Sequence, residues 1–264
     1  MHNNMKKQLF ITLALLAAPL LASAQSEPKT SDDFGIWTDI SAEKKLSKKA
    51  SVEIEAEYRT ANNANQNSRW SMGLSGEYKL TKWLKVGAGY TFLYNHNDKY
   101  TYHDEDPNKA NYGKLNKYAS YWGPRHRVNV DVTGAVGLGD WKFDLRERWH
   151  YTYRPEKTID ARYDFDDEDW DGKQKTYSGK GKNTLRSRLQ VSYDKKGLDV
   201  EPYANVELYN AWSVEKVRYT VGLDWKIVKG QTLGVYYRYQ DNSKDDDDND
   251  RNMHILGLSY KVKF

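Results

Sequence analysis

Charged residues that could act together recur at every second position in several segments of this chain. A two-residue spacing places side chains on one face of a β-strand. Acidic and basic faces opposed across an enclosed lumen would create a transverse field that selects small polar solutes. The alternative is that these charges pair and fill the lumen, as side chains do in narrow barrels. The lumen-lining candidates are Glu53, Glu55, Glu57, Arg127, Arg146, Arg148, Arg186, Arg188, Glu201 and Glu207.

A second candidate site is an acidic segment with calcium-loop spacing. Asp167, Asp169 and Asp171 precede Gly172 and match the first half of the D-x-D-x-D-G pattern. Alternate carboxylates suit a hard cation, although Ser178 stands where the bidentate glutamate belongs. The alternatives are solvated loop charge and divalent bridging to the phosphates of lipopolysaccharide.

Catalysis has one weak candidate. His150 and Thr152 share a strand face with Glu147 close in sequence, which could serve a lipid-modifying enzyme. Threonine is an unusual nucleophile for that chemistry, and His150 is interpreted as a hydrogen-bonding residue of the lumen. The chain has no cysteine, and its few histidines are scattered, so we expect no zinc site, no cofactor and no enzyme.

The elements that must position these residues are β-strands with one apolar face. In residues 253–264, Leu256, Leu258, Tyr260, Val262 and Phe264 alternate with polar or small residues. A strand ending in phenylalanine resembles the closing strand of outer-membrane barrels, so we expect the barrel-assembly machinery as a partner. In such barrels the apolar face meets lipid and the polar face meets the lumen.

Similar alternation predicts eleven strands, separated by connections that alternate between short and long. Bacterial single-chain barrels have even strand numbers. We therefore predict an all-β, transmembrane, antiparallel up-and-down barrel of about 12 strands, with an extra strand near Ser26–Asp33. Ten strands would result if the first segment lay in the lumen. The short connections are expected in the periplasm, and the long ones, about 60–68, 95–124, 155–183 and 241–252, outside the cell.

The N-terminus has the features of a signal peptide. Lys6 and Lys7 precede an apolar stretch from Leu9 to Leu21, and Ala22-Ser23-Ala24 forms a small-residue cleavage site. The predicted organisation is a signal peptide at 1–24, read by the Sec pathway, and an outer-membrane barrel domain at 25–264. Outer-membrane lipids and lipopolysaccharide are then the expected surroundings.

Composition agrees with this class of protein. Mean hydropathy is −0.93, yet aromatic residues make up 14% of the chain, which is unlike disordered segments. A formal net charge of +4 gives no argument for nucleic-acid binding. Aromatic residues in the segment 95–124 could bind sugars or proteins, or anchor the barrel at the lipid interface.

Two positions break the alternation. Glu147 falls on an apolar face, where a bulge or an interfacial position would relieve the cost of its charge. Pro202 lacks an amide donor and indicates a bulge or a gap in the ladder. A soluble periplasmic β-sandwich that binds a ligand is the alternative fold, with the apolar faces packed against each other.

Several segments resemble an uncharacterised, domain-of-unknown-function family of small Gram-negative outer-membrane barrels. The resemblance covers nearly the whole chain after the signal peptide. It implies the barrel fold and an outer-membrane location, and it implies no activity or catalytic residue. The segments include Phe34-Gly35-Ile36-Trp37-Thr38, Pro124-Arg125-His126-Arg127, Leu145-Arg146-Glu147-Arg148, Leu185-Arg186-Ser187-Arg188 and Glu201-Pro202-Tyr203.

Overall fold

The computed structural model describes residues 32–104, 107–242 and 251–264. Eleven long strands in these ranges form the wall of a closed barrel. They are β1 (Asp33–Lys45), β2 (Ala50–Ala61), β3 (Gln66–Lys79), β4 (Leu84–Tyr102), β5 (Leu115–Leu138), β6 (Trp141–Arg154), β11 (Lys180–Tyr193), β12 (Val200–Asn210), β13 (Val214–Val228), β14 (Gln231–Asp241) and β15 (Met253–Lys263).

Four short strands lie in the connection between β6 and β11. They are β7 (Lys157–Ile159), β8 (Tyr163–Asp164), β9 (Asp169–Trp170) and β10 (Lys175–Tyr177). β7 pairs with β10, and β8 pairs with both β5 and β9. Within the described ranges, no helix has the length and apolar character needed to cross a bilayer.

The barrel closes by direct pairing of its first and last strands, and this pair is parallel. Asp33 lies beside Met253 and Glu43 beside Lys263, while every other neighbouring pair in the wall is antiparallel. An odd number of alternating strands leaves the first and last running in the same direction. The wall is therefore complete with eleven strands, and the expectation of twelve, or alternatively ten, was wrong. The signal peptide at 1–24 and residues 26–31 of the proposed extra strand lie outside the described residues.

The pairing register puts one face of every strand on the outside of the barrel. This face is apolar and largely exposed, with Leu74 60%, Leu189 59% and Val221 56% exposed. Aromatic rings border it at both ends. The ring centroids of Tyr58 and Trp70 lie 4.3 Å apart on one side, and those of Trp141 and Tyr193 lie 5.0 Å apart on the other. An exposed apolar band between aromatic girdles is the architecture of a transmembrane barrel. The apolar faces are not buried against one another, so the alternative of a two-layer sandwich was wrong.

The two ends of the barrel differ in their connections. At one end, which we call the turn end, strands join through the short segments 46–49, 80–83, 139–140, 194–199 and 229–230. At the other, the loop end, they join through 62–65, 103–114, 155–179, 211–213 and 242–252.

The predicted loop 95–124 is mostly an extended hairpin. β4 continues to Tyr102 and β5 begins at Leu115, and both run past the last pair of the β5–β6 ladder, His126 with Tyr153. β8 takes the place of β6 beside this projecting part of β5. This part of the chain has no apolar alternation, because both faces of the projection can be polar.

Pro202 and Glu147 are accommodated without a bulge. The β11–β12 ladder ends at Ser192 and Tyr203, so Pro202 lies just beyond it, which is the predicted gap. Glu147 faces outward in unbroken register opposite Val132 and Ser187. The Ser187 hydroxyl donates a hydrogen bond of 2.6 Å to its carboxylate. The cost of placing the Glu147 charge on the apolar face is therefore reduced by a cross-strand hydrogen bond and not by the expected bulge.

A positive charge at Val130 is expected to destabilise the barrel strongly. Val130 faces outward in β5 and is 51% exposed. The Val130→Arg substitution should lower the free energy of unfolding in lipid vesicles by about 2–4 kcal/mol, because the cation would sit in hydrocarbon. Denaturant titration measures it, with Val130→Leu as the apolar control. A loss of the same size in both variants would contradict a lipid-facing position.

Replacement of Glu147 by leucine is expected to stabilise the barrel. The substitution removes a carboxylate from the apolar band, and we expect a gain of ~1 kcal/mol in the same titration. The control is Glu77→Leu, because Glu77 faces inward and pairs with Lys85 at 2.7 Å. That control should show no gain, and a destabilised Glu147→Leu variant would argue against contact with lipid.

Candidate functional site

The structure places all ten candidate lumen residues on the inward face of the wall. They lie on β2, β5, β6, β11 and β12, and they are not equivalent. Glu53 and Glu201 are near the turn end, where Glu53 pairs with Lys261 and Glu201 with Lys226 at 3.4 Å. Four of the remaining residues belong to a network deeper in the lumen: Glu57, Arg146, Arg186 and Glu207. Arg148 forms a separate ion pair with Asp131 at 2.7 Å.

Glu207 is the centre of this network. Its Oε1 accepts hydrogen bonds from Arg146 at 3.0 Å and from Arg186 at 2.8 Å. Its Oε2 accepts one from the Tyr209 hydroxyl at 2.9 Å and lies 3.8 Å from Arg218. The residue is 5% exposed. One buried carboxylate thus compensates three guanidinium groups from β6, β11 and β13.

Two aromatic rings extend the network through the interior. The Trp37 ring lies 3.5 Å from the guanidinium of Arg59 and 5.0 Å from that of Arg218. The Tyr209 ring lies 4.6 Å from the same Arg218 group. Cations over ring faces are attracted by the quadrupole, and more strongly when desolvated. Because β15 and β14 separate β1 from β13 in the wall, the contact between Trp37 and Arg218 bridges the interior.

Five further residues belong to the inward face around this site and were not among the predicted lumen residues: Trp37, Arg59, Arg69, Arg218 and Arg238. Arg59, Arg218 and Arg238 alternate with outward residues, so the two-residue period was a signal that could have found them. Trp37 gave no such signal because aromatic residues are also common on the lipid face. The register decides its direction: Trp37 pairs with Arg59 and Gly257, both of which face inward.

Arginines stand directly opposite one another in three places. Arg148 pairs with Arg186, Arg146 with Arg188, and Arg59 with Arg69. Like charges in this arrangement destabilise a sheet unless other groups compensate them. Asp131 compensates Arg148 at 2.7 Å and Glu57 compensates Arg59 at 2.6 Å. The inward face of this region carries more guanidinium groups than carboxylates.

The structure separates the members of the catalytic candidate. His150 is 4% exposed and faces inward. Thr152, on the same face, accepts a hydrogen bond from Arg127 Nε at 3.0 Å. Glu147 faces outward and bonds Ser187. A histidine and a carboxylate on opposite sides of the wall cannot act on one substrate atom.

The calcium-loop candidates lie in the β8–β9 region at the loop end. Asp171 accepts hydrogen bonds from the backbone of Arg162 at 2.9 Å and from Lys117 at 3.0 Å. Asp169 bonds the backbone of Trp170, and no contact joins Asp167 to either carboxylate. In the part of the chain that the structure describes, no three acidic or histidine side chains are placed to hold one metal ion. Calcium binding at this segment stays a prediction.

Asp171 instead fastens the β6–β11 connection to the projecting hairpin. Backbone N–H donation from Arg162, with further bonds from Lys173 and Lys117, holds the pKa of this carboxyl well below its usual range. Hydrogen bonds to Asp164 and Asp171 raise the pKa of Lys117. Both shifts favour the charged forms.

Comparisons with known proteins agree with the barrel. A family model described as "Protein of unknown function (DUF2490)" matches residues 34–252. No curated protein matches the sequence. The β-domain of the Bordetella autotransporter Brka is similar at 14% identity and a TM-score of 0.52, over 81% of this chain and 82% of that one. This likeness bears on the fold alone.

A second similar structure is the translocator domain of the autotransporter NalP from Neisseria meningitidis. It is 12% identical with a TM-score of 0.47, over 76% of this chain and 71% of that one. At that score it supports no argument about this chain.

Loss of the Asp171 carboxylate is expected to loosen the loop. In Asp171→Ala, amide hydrogen exchange at Arg162 and Lys173 should accelerate at least about tenfold, because a charge-assisted bond is worth ~1.5–3 kcal/mol. The control is Asp167→Ala, which removes an equal charge from the same segment of the chain. Similar protection in both variants would contradict the fastening role.

The same lowered pKa of Asp171 sets the pH dependence of the loop. A carboxyl with a lowered folded-state pKa stabilises fully above its unfolded value and loses that contribution as pH falls through the lowered one. Trp170 fluorescence should therefore stay constant from pH 7 down to about 4. A transition between pH 7 and 5 would be inconsistent with this.

Proposed function

Because the chain belongs to the family described as "Protein of unknown function (DUF2490)", we propose its function from its own geometry. The protein is an integral outer-membrane barrel whose lumen is closed at rest, and it acts as a binding protein of the cell surface. It does not provide an open pore for small solutes. The observation that carries the proposal is the network centred on Glu207.

An outer-membrane location is supported by the apolar band and its aromatic girdles. Lipids of both leaflets, with lipopolysaccharide outside, are then the partners of this face. The short connections would lie in the periplasm and the long ones at the cell surface. Export through the Sec pathway and insertion by the barrel-assembly machinery complete this proposal.

The closed state is supported by continuity of the interior contacts. Starting at Arg146, they pass through Glu207 to Arg218. From Arg218 they reach the Trp37 ring, then Arg59, and end at Glu57, which Ser71 also contacts at 3.3 Å. The chain of contacts thus joins groups from β6, β12, β13, β1, β2 and β3. Eight strands are filled by side chains and sixteen or more leave a channel, so long side chains can block an eleven-stranded lumen.

Binding at the surface is supported by the loop end. The projecting β4–β5 hairpin is widened by β8 and β9 and fixed by Asp171, so it presents a stable sheet beyond the barrel. Functional residues are common on loops that a rigid scaffold positions. The proposal includes no catalytic step, since His150 and Glu147 lie on opposite faces.

Planar-bilayer recording tests the closed state. We expect no stable conductance steps for the purified protein. In Glu207→Ala, three arginines lose their shared counter-charge and should repel one another, so steps should appear with a mean conductance raised ~tenfold or more. An excess of luminal guanidinium groups predicts that this current is carried by anions.

The matched control is Gln190→Ala. Gln190 also faces inward, and within the described ranges its side chain bonds only a neighbouring wall residue, Asn205, at 3.4 Å. It should remain silent. Heat-modifiable electrophoretic mobility checks that each variant is folded. Regular steps from the unmodified protein would overturn the closed state and favour passive transport of small solutes.

A further inference from the structure

Arg69 and Arg127 are luminal arginines whose terminal nitrogens have no hydrogen-bond or ion-pair partner among the described residues. Arg69 Nε donates to Asn95 Oδ1 at 3.0 Å, and Arg127 Nε donates to Thr152 Oγ1 at 3.0 Å. Across the described ranges, neither takes part in an ion pair or in any other hydrogen bond. Each guanidinium is thus held at one nitrogen, and its Nη fork is left for another acceptor.

The surroundings of these two groups are cationic. Arg59 stands directly opposite Arg69, and Arg125 lies between Arg69 and Arg127 on the curved wall, with its Nη2 2.7 Å from Asn97 Oδ1. Arg59, Arg125 and Arg127 each repel the Arg69 guanidinium, whereas Glu57 attracts it. Glu57 forms an ion pair with Arg59 at 2.6 Å. Among the described residues, neither Arg69 nor Arg127 forms an ion pair with this or another carboxylate.

The cluster lies on the loop side of the closed network. Arg69 is near the start of β3, and Arg127 is next to His126, the last β5 residue paired with β6. The wall between them is covered by Leu93, which is 1% exposed. Above it, Tyr121 of β5 stacks on Tyr177 of β10 at 5.1 Å. Arg69 and Arg127 thus lie on the inward face of the wall, on the turn side of this aromatic pair.

We propose that Arg69 and Arg127, flanked by Arg59 and Arg125, form a binding site for a phosphate-type oxyanion that enters from the loop end. The guanidinium groups of Arg69 and Arg127, which form no ion pair within the described ranges, can be compensated by a bound anion. A planar fork matches two oxygens of phosphate and binds them more strongly than a single charge would. The fixed Nε bonds pre-orient both forks, which lowers the entropy cost of binding.

Titration calorimetry with inorganic phosphate tests this site on the full barrel in a nonionic detergent at low ionic strength. We expect saturable binding of one phosphate per chain. Arg69→Gln and Arg127→Gln should each weaken the affinity at least about tenfold, and the double variant should abolish it. Arg127→Lys keeps the charge without the fork and should be intermediate.

The control is Lys196→Gln, which removes one positive charge at the exposed turn end and should bind like the unmodified protein. Heat-modifiable mobility again identifies folded samples. Absence of saturable binding by the unmodified protein, or equal affinity in the Arg127→Gln and Lys196→Gln variants, would overturn the proposal. Added lipopolysaccharide distinguishes two sources of the phosphate group. If lipopolysaccharide competes with inorganic phosphate, the natural phosphate group comes from the lipid of the outer leaflet. If it does not compete, the phosphate group comes from a soluble ligand.

The oxyanion site rests on the proposed closed lumen, yet the two experiments can contradict the two proposals separately. Steady conductance without phosphate binding would overturn both. A silent bilayer without phosphate binding would overturn the oxyanion site alone. Phosphate binding by a protein that conducts without modification would support the oxyanion site and overturn the closed lumen. The site would then select anions in an open pore.

Discussion

The structure depends on one constraint, which is that every strand must present an apolar face to hydrocarbon while all its backbone groups find partners. A closed ladder satisfies the second requirement, because a bilayer offers no water to a free sheet edge. The two-residue period satisfies the first. Polar side chains consequently face inward. Compared with a water-soluble protein the arrangement is reversed, because the charges lie in the interior and the aliphatic residues lie outside.

The barrel can close with an odd number of strands because β1 and β15 pair in a register that matches their inward faces. An even strand number is not required for closure. The parallel β1–β15 pair keeps inward residues beside inward residues, as where Trp37 meets Gly257. Parallel pairing is slightly weaker per residue than antiparallel pairing. Near the turn end the seam is reinforced by charge, with Lys261 between Glu43, at 3.1 Å, and Glu53.

The interior charges decide how open the barrel is. Burying a guanidinium is costly unless acceptors surround it, and removing the partner of a buried ion is worse than never having had the pair. Glu207 therefore fixes Arg146 and Arg186 in one arrangement. Arg69 and Arg127 lack such a partner among the described residues, and this difference separates the closing network from the proposed oxyanion site. The two regions are made of the same residue type and differ in counter-charge.

The sequence by itself determined the barrel class, the positions of eleven strand segments and the direction of most side chains, because alternation is a local property that hydrocarbon contact enforces at each strand. It did not determine that these eleven segments complete the wall. It identified Glu207, Arg146 and Arg186 as inward, yet it could not say which of them touch. It also missed the projecting hairpin, where no apolar face is needed.

Only the tertiary structure decided the parallel closure, the inward direction of Trp37, the Ser187 partner of Glu147 and the separation of Glu147 from His150. Each depends on which strands become neighbours and in what register. Pairs such as Arg146 and Glu207 are far apart in the chain, and the cylinder that brings them together is set by the whole wall. Contacts across the lumen therefore exist only once the barrel has closed, and no single segment of the sequence encodes them.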